Sequence, residues 1–243
     1  MVRPLVWDPT YAKNYQTGLD RGVLYLNSNN DAYAWNGLIS VEEQSSEGEI
    51  RSYYIDGVKY LDVASPKDFS AKISAYSAPR EFGMCLGEAS IRRGVVITGQ
   101  PRSSFGMSYR SMIGENAYQI HLIYNAMASL GTRPYETLSG SSSPIVFEWN
   151  IDAVPFEGTE YRPTAHYIID SRKISKEDLK TVEVALYGRD LGEWALDGQY
   201  DLDQIVDGNT TSLVYDGNQK DVLPDISGRL PSPEYFRELF TTS

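Results

Sequence analysis

Apolar side chains recur at every second position in one short segment after another, a period that fits strands and not helices. Phe69, Ala71, Ile73 and Ala75 alternate with Ser70, Lys72 and Ser74. Phe105, Met107 and Tyr109 alternate with Ser104, Gly106, Ser108 and Arg110. The longest such face is Tyr118, Ile120, Leu122, Tyr124 and Ala126, set against Gln119, His121 and Asn125. Ile145, Phe147, Trp149 and Ile151 repeat the pattern against Glu148 and Asn150. Trp35, Gly37, Ile39 and Val41 give a weaker version in which Leu38 falls on the wrong face. Gly22–Leu26 is a further short apolar run. Each alternating segment predicts one face toward a core and one toward water, as in antiparallel sheets. Arg51–Ile55 and Val58–Leu61 flank Asp56-Gly57. That pair predicts a hairpin, because both turn positions require positive φ. The expected fold class is mainly β, an antiparallel β-sandwich or barrel.

Helical spacing is confined to two places. Ser175 is a candidate N-cap, Glu177 and Asp178 put acids in a first turn, and Leu179, Val182 and Leu186 share one face before Gly188. This predicts a helix over 175–187 that lays its apolar stripe on the sheet. Ser232-Pro233 opens a second, shorter helix, with Tyr235, Phe236, Leu239 and Phe240 to anchor the C-terminus. The expected organisation is a single domain over 1–243. It comprises an N-terminal arm at 1–20, a β core plus helix at 21–187, an acidic inserted region at 188–231 and a C-terminal helix at 232–243. The inserted region carries nine of the 33 acids against three bases, and Asp216-Gly217 within it suggests a small hairpin.

Charge and cysteine use exclude several classes. The formal charge of −11 opposes wrapping nucleic acid, which needs clustered Lys and Arg. The single cysteine, Cys85, has no partner for an intrachain disulfide, and the expected compartment is reducing. Met1–Trp7 lacks a signal-peptide core, and no run of 18 apolar residues is present, so no membrane partner is expected. The 18 Tyr and 4 Trp suit both strand faces and interfaces.

Motifs for chemistry are absent from the sequence. The two histidines, His121 and His166, fall inside strand-like runs, and His121 lies on the polar face of its strand. Neither has a carboxylate or nucleophile beside it in sequence, and both read as ordinary half-exposed strand residues. No nucleophile elbow, phosphate-binding loop or zinc-protease motif occurs. Asp201-Leu202-Asp203 and Asp207-Gly208-Asn209 are fragments of a calcium loop without its closing Glu. Asn209-Thr210-Thr211 is a chance glycosylation sequon, and Arg92-Arg93 is a basic pair at a surface turn. No catalytic, cofactor-binding or metal-binding residue is expected, and the chain is not expected to be an enzyme.

Four stretches carry a resemblance. They are Gly18–Tyr25 followed by Ala34–Leu38, Gln100–Arg110, Tyr118–Ala126, and Arg162–His166 just before the 175–187 helix. In this order, over roughly residues 7–187, the chain resembles the major tail (tail tube) proteins of long non-contractile-tailed phages of actinobacteria. The resemblance implies a β-sandwich or barrel with a flanking helix. It also implies rings, commonly hexameric, that stack as a tube around a tape-measure protein and later pass the genome. The partners so implied are further copies of the chain, the tape-measure protein, and the tail terminator and distal tail proteins. The implied location is the virion tail, after assembly in the host cytoplasm. No cofactor belongs to the family.

Acidic character suits such a conduit, since a basic bore would hold phosphates. Gln119, Asn125 and Glu148, on the wet faces of long strands, are the expected lumen-facing residues. The 188–231 segment is expected on the tube exterior or at a ring contact. Three other readings remain open. One is a tail-completion or distal-tail ring protein of related fold. Another is a monomeric β-sandwich that binds carbohydrate through exposed Tyr and Trp. The third is a hydrolase built on His121 or His166, which requires one of them to meet a carboxylate.

Overall fold

The computed structural model describes residues 15–27, 31–45, 50–64, 69–114, 117–135, 144–155, 163–189 and 226–241. Most of the expected arm, the turn at 46–49 and the acidic stretch 190–225 with its calcium-like fragments and sequon lie outside the described residues.

One antiparallel sheet of eight strands organises the chain. Its order is β2 (Ala32–Ala34), β1 (Gln16–Leu26), β9 (Phe105–Ile113), β10 (Ala117–Leu130), β11 (Phe147–Ala153), β6 (Phe69–Ala75) and β3 (Leu38–Ser45). A further strand, β12 (His166–Asp170), pairs with β10. Thus β10 carries β12 along its first half, from Gln119 to Ile123, and β11 along its second, from Ala126 to Leu130. The fold is mainly β, as the alternation requires.

Two hairpins stand apart from this sheet. In one, β4 (Ile50–Ile55) and β5 (Val58–Ala64) turn through Asp56 and Gly57, with φ of 51° and 78°. The positive φ at both positions is what the Asp-Gly pair predicts. In the other, β7 (Ala89–Arg92) pairs with β8 (Val95–Ile97) across Arg93-Gly94. Helix α1 is the single turn Phe82–Cys85, α2 spans Lys176–Tyr187 and α3 spans Pro233–Thr241. Ser175 caps α2 as expected, its Oγ accepting from the Asp178 N–H at 3.0 Å. Gly188, with φ 80°, ends it.

The main sheet buries side chains on both faces. On one face Leu24, Ile73, Met107, Ile123, Ala126, Trp149 and Ile151 meet, with Phe82 edge-on to Phe105 and tilted against Trp35 among them. On the other, Val23, Tyr25, Ile120, Leu122 and Ile169 take the apolar stripe of α2, Val182 and Leu186, and Phe236 of α3. The second core covers only the β1, β9, β10 and β12 part of the sheet. Behind β11 and β6 lies a polar, partly exposed face bearing Glu148, Asn150 and Asp152, with Lys72 bonded to Glu148 at 2.8 Å.

Several expectations shift. Residues 16–20 are not arm but the start of β1, paired to β9. The wet face expected for β10 belongs to the first core, because Ile123 is fully buried on it and His121 nearly so. Ala126 does not continue the Tyr118–Tyr124 face. A bulge at Asn125, whose φ is 48°, moves it to the opposite side. Asn36-Gly37 is a turn, and a bulge after Leu38 returns that residue to the core face with Val41 while leaving Ile39 exposed. Ile145 precedes β11 and is exposed.

Candidate functional site

Five polar side chains converge on the first core face. β9 supplies Tyr109 and Ser111, β10 supplies His121, β12 supplies His166, and β3 supplies Glu43. Register explains the meeting. His121 lies directly opposite Tyr109, and His166 opposite Ile123. The bulge after Leu38 gives Glu43 the same inward parity as Val41 and pairs it with Ala71. The sheet curves enough to bring its β3 edge over β9 and β10, so three positions far apart in sequence end within one hydrogen-bond radius.

The geometry is tight. His121 Nδ1 lies 3.1 Å from Glu43 Oε1 and 3.1 Å from His166 Nε2. His166 Nε2 is 3.9 Å from the same Glu43 oxygen. Tyr109 donates its hydroxyl to Glu43 Oε1 at 2.5 Å. Ser111 Oγ and His121 Nε2 are 2.9 Å apart. The Tyr109 and His121 rings stack face to face, centroids 4.6 Å apart and planes within 7°. The two imidazoles have centroids 5.3 Å apart and planes 17° apart, yet two of their nitrogens are only 3.1 Å apart. They therefore meet edge to edge, nitrogen to nitrogen. Phe69 closes the far side of His166 at 4.6 Å.

Charge at the site follows from these contacts. The hydrogen bond from His121 is the largest influence on Glu43, and with those from Tyr109 it outweighs partial burial to hold the carboxyl at about 2. Burial pushes His166 down to about 4, against the attraction of Glu43. Burial, and then the Glu43 carboxylate, push the Tyr109 hydroxyl up. At neutral pH the centre is an anionic carboxylate facing an uncharged His166.

Ser111, His121 and Glu43 have the connectivity of a nucleophile–base–acid relay, the contact the hydrolase reading requires. The remaining parts of such a site are missing among the described residues. Ser111 sits inside β9 with Leu19 of β1 on one side and Gln119 of β10 on the other, so the ladders enclose its backbone. A cleft of about 640 Å³ lies elsewhere, lined by Leu19, Asp20, Arg21, Trp35, Leu186 and Tyr187. Its carboxylate, Asp20, is engaged by Arg110 through two hydrogen bonds of 2.8 and 2.7 Å.

Arg110 also reaches Glu183 of α2 at 3.2 Å and lies over the Tyr118 ring at 4.4 Å. This network fixes the helix to the sheet on the face away from the histidines.

The three residues expected to share a lumen do not share a surface. Gln119 lies on the histidine side of β10, where its amide donates to Asp170 and accepts from Gln16. Glu148 faces the opposite way, on the polar back of β11. Asn125 occupies the bulge and accepts from Asn27 at 3.2 Å. The residue that sequence reasoning missed is Glu43. Its signal was its two-residue spacing from Val41, obscured by the bulge at Leu38.

No protein-family profile and no curated protein matches the chain. Solved structures give weak likenesses. The chain is similar to a component of the sheath–tube complex of an extracellular contractile injection system (PVC) in its extended state. Identity is 12%, the TM-score is 0.37, and the match covers 66% of this chain and 91% of that one. It is also similar to the tube-terminating cap of the anti-feeding prophage, at 9% identity and TM-score 0.37, covering 70% and 96%. A component of that particle's baseplate matches at 11% and 0.34, covering 70% and 97%. Likeness at this level leaves function to be argued from the chain's own residues.

Proposed function

We propose that the chain is a structural subunit of a phage-type tail tube that assembles with copies of itself. The observation that carries this reading is the β4–β5 hairpin. Tyr53, Tyr54, Ile55, Val58, Tyr60 and Leu61 are all half or more exposed, Tyr60 at 73%. Among the described strands, β4 and β5 pair only with each other. A two-stranded hairpin is marginal in water on its own. A contiguous apolar, tyrosine-rich surface of this kind marks a protein contact. The β7–β8 hairpin repeats the theme with Ile91, Val95 and Val96 exposed. A ring requires a contact patch on each subunit that fits a different patch on its neighbour. Two projecting hairpins and an open β3 edge supply such patches.

The resemblance to tail tube proteins of actinobacterial siphophages supports the finer reading. In it the copies form stacked hexameric rings, a tape-measure protein fills the bore during assembly, terminator and distal proteins close the ends, and genomic DNA passes through. The polar back of β11 and β6, with Glu148, Asn150 and Asp152, is assigned to the bore, because no helix covers it among the described residues.

Electron microscopy of the purified chain tests the assignment. Stacked rings or tubes are expected, and single rings alone would favour a terminator or distal-tail part. A Tyr54→Ser, Tyr60→Ser variant should keep the main sheet and lose at least tenfold in assembled mass by sedimentation. A wild-type chain that stays monomeric at high concentration overturns the reading.

A further inference from the structure

The convergence of two imidazoles and a carboxylate has chemistry that a tube subunit does not need. We propose that Glu43, His121 and His166 bind a divalent first-row transition ion of the Zn²⁺ type, with a fourth position open to solvent. The inference rests on these side chains and is independent of the tail-tube reading.

Geometry is the first argument. The donor atoms form a triangle with sides of 3.1, 3.1 and 3.9 Å. The circumradius of that triangle is about 2.0 Å, so one point lies about 2.0 Å from all three donors, the length of a zinc bond to imidazole nitrogen or carboxylate oxygen. The second argument is donor type. Two imidazole nitrogens with one carboxylate oxygen suit Zn²⁺ and its neighbours, whereas Ca²⁺ and Mg²⁺ prefer all-oxygen shells.

The surroundings supply what metal ligands require. Ser111 engages His121 Nε2 and so leaves Nδ1 for the centre. Tyr109 donates to the Glu43 oxygen that faces the histidines and stacks on His121, fixing both. Hydrogen bonds of this kind orient ligands in known metal sites. Among the described residues, access is greatest on the Glu43 side. The Glu43 side chain is 39% exposed, against 8% for His121 and 14% for His166. An ion enters past Glu43 and keeps its open position there. Its bonds tie the edge strand β3 to β10 and β12, clamping the curved sheet across its seam.

The test uses the untagged full chain after stripping with a chelator. Calorimetric titration with Zn²⁺ should give one ion per chain and raise the thermal midpoint. Titration with Co²⁺ should give the visible absorption of a four-coordinate ion. Because the chain has only two histidines, proton NMR reads the site directly, and both sets of imidazole resonances should shift or broaden with the first equivalent of Co²⁺. Glu43→Gln and His166→Gln should each abolish the tight phase, and Tyr109→Phe should keep it about 10- to 100-fold weaker. The NMR readout needs no variant and decides the matter even where a substitution fails to fold. The proposal is overturned if the wild-type chain takes up no stoichiometric ion. Uptake that leaves both imidazoles unmoved, or that persists unchanged in Glu43→Gln, equally overturns it and assigns the ion to the acidic surface.

Discussion

Arg110 is the only nearly buried cation among the described residues, and its position shows what a charge between sheet and helix does. It holds Asp20 of β1 and Glu183 of α2 at once. The hydrogen bonds from Arg110 keep the Asp20 carboxyl below its ordinary value, against some burial. A carboxyl depressed in the folded chain adds stability that is complete above its unfolded value of about 4. That stability is lost as pH falls through the lower, folded value. Denaturant midpoints measured at pH 7 and pH 3 should therefore show a loss in the wild type that Asp20→Asn partly removes. Because the Asp20 side chain is 43% exposed, the difference should be small, about 1 kcal/mol. An Asp20→Asn chain with the full acid sensitivity of the wild type would place the source elsewhere.

Elements differ in how far they could be read from sequence. Helix α2 was legible because its signals are local: a hydroxyl at the cap, acids in the first turn, a stripe at helical spacing and a glycine at the end. Ser175→Ala removes the bond to the Asp178 N–H. It should cost about 1 kcal/mol, read as a lower thermal midpoint with an unchanged sheet signal. The β4–β5 hairpin was legible for the same reason, since Asp56-Gly57 dictates its own turn. β10 was misread because its outcome is set from outside. Period two on one face says nothing about β3 and β6 joining the core on the other, and the bulge at Asn125 reverses parity without any glycine to announce it. The histidine site was illegible for a related cause. Glu43, His121 and His166 are joined by sheet curvature, which leaves no trace in spacing.

At the scale of the whole molecule, one half of the sheet is sandwiched and the other half is not. α2 and α3 cover β1, β9, β10 and β12, whereas β11 and β6 present polar side chains outward. That asymmetry is what the proposed bore assignment rests on. Asn150 is exposed on this face, and a cysteine at that position should react readily with a bulky maleimide in the free chain. In assembled tubes it should be protected at least tenfold. Equal labelling rates before and after assembly would move the bore to another face. The chain's one natural cysteine, Cys85, is buried and burial pushes its thiol up to about 12, so it contributes little background.

Two short strands pair beside Gly188, the residue that ends α2. β13 (Gly188–Arg189) and β14 (Ile226–Ser227) pair directly, Gly188 with Ser227. Arg189 and Ile226 thus lie side by side, next to the end of α2. Between ends fixed as neighbours, the entropy of loop closure grows only slowly with the length inserted. Positions 190–225 are therefore where foreign sequence, such as a display peptide or an enzyme, is best grafted in exchange for the native residues.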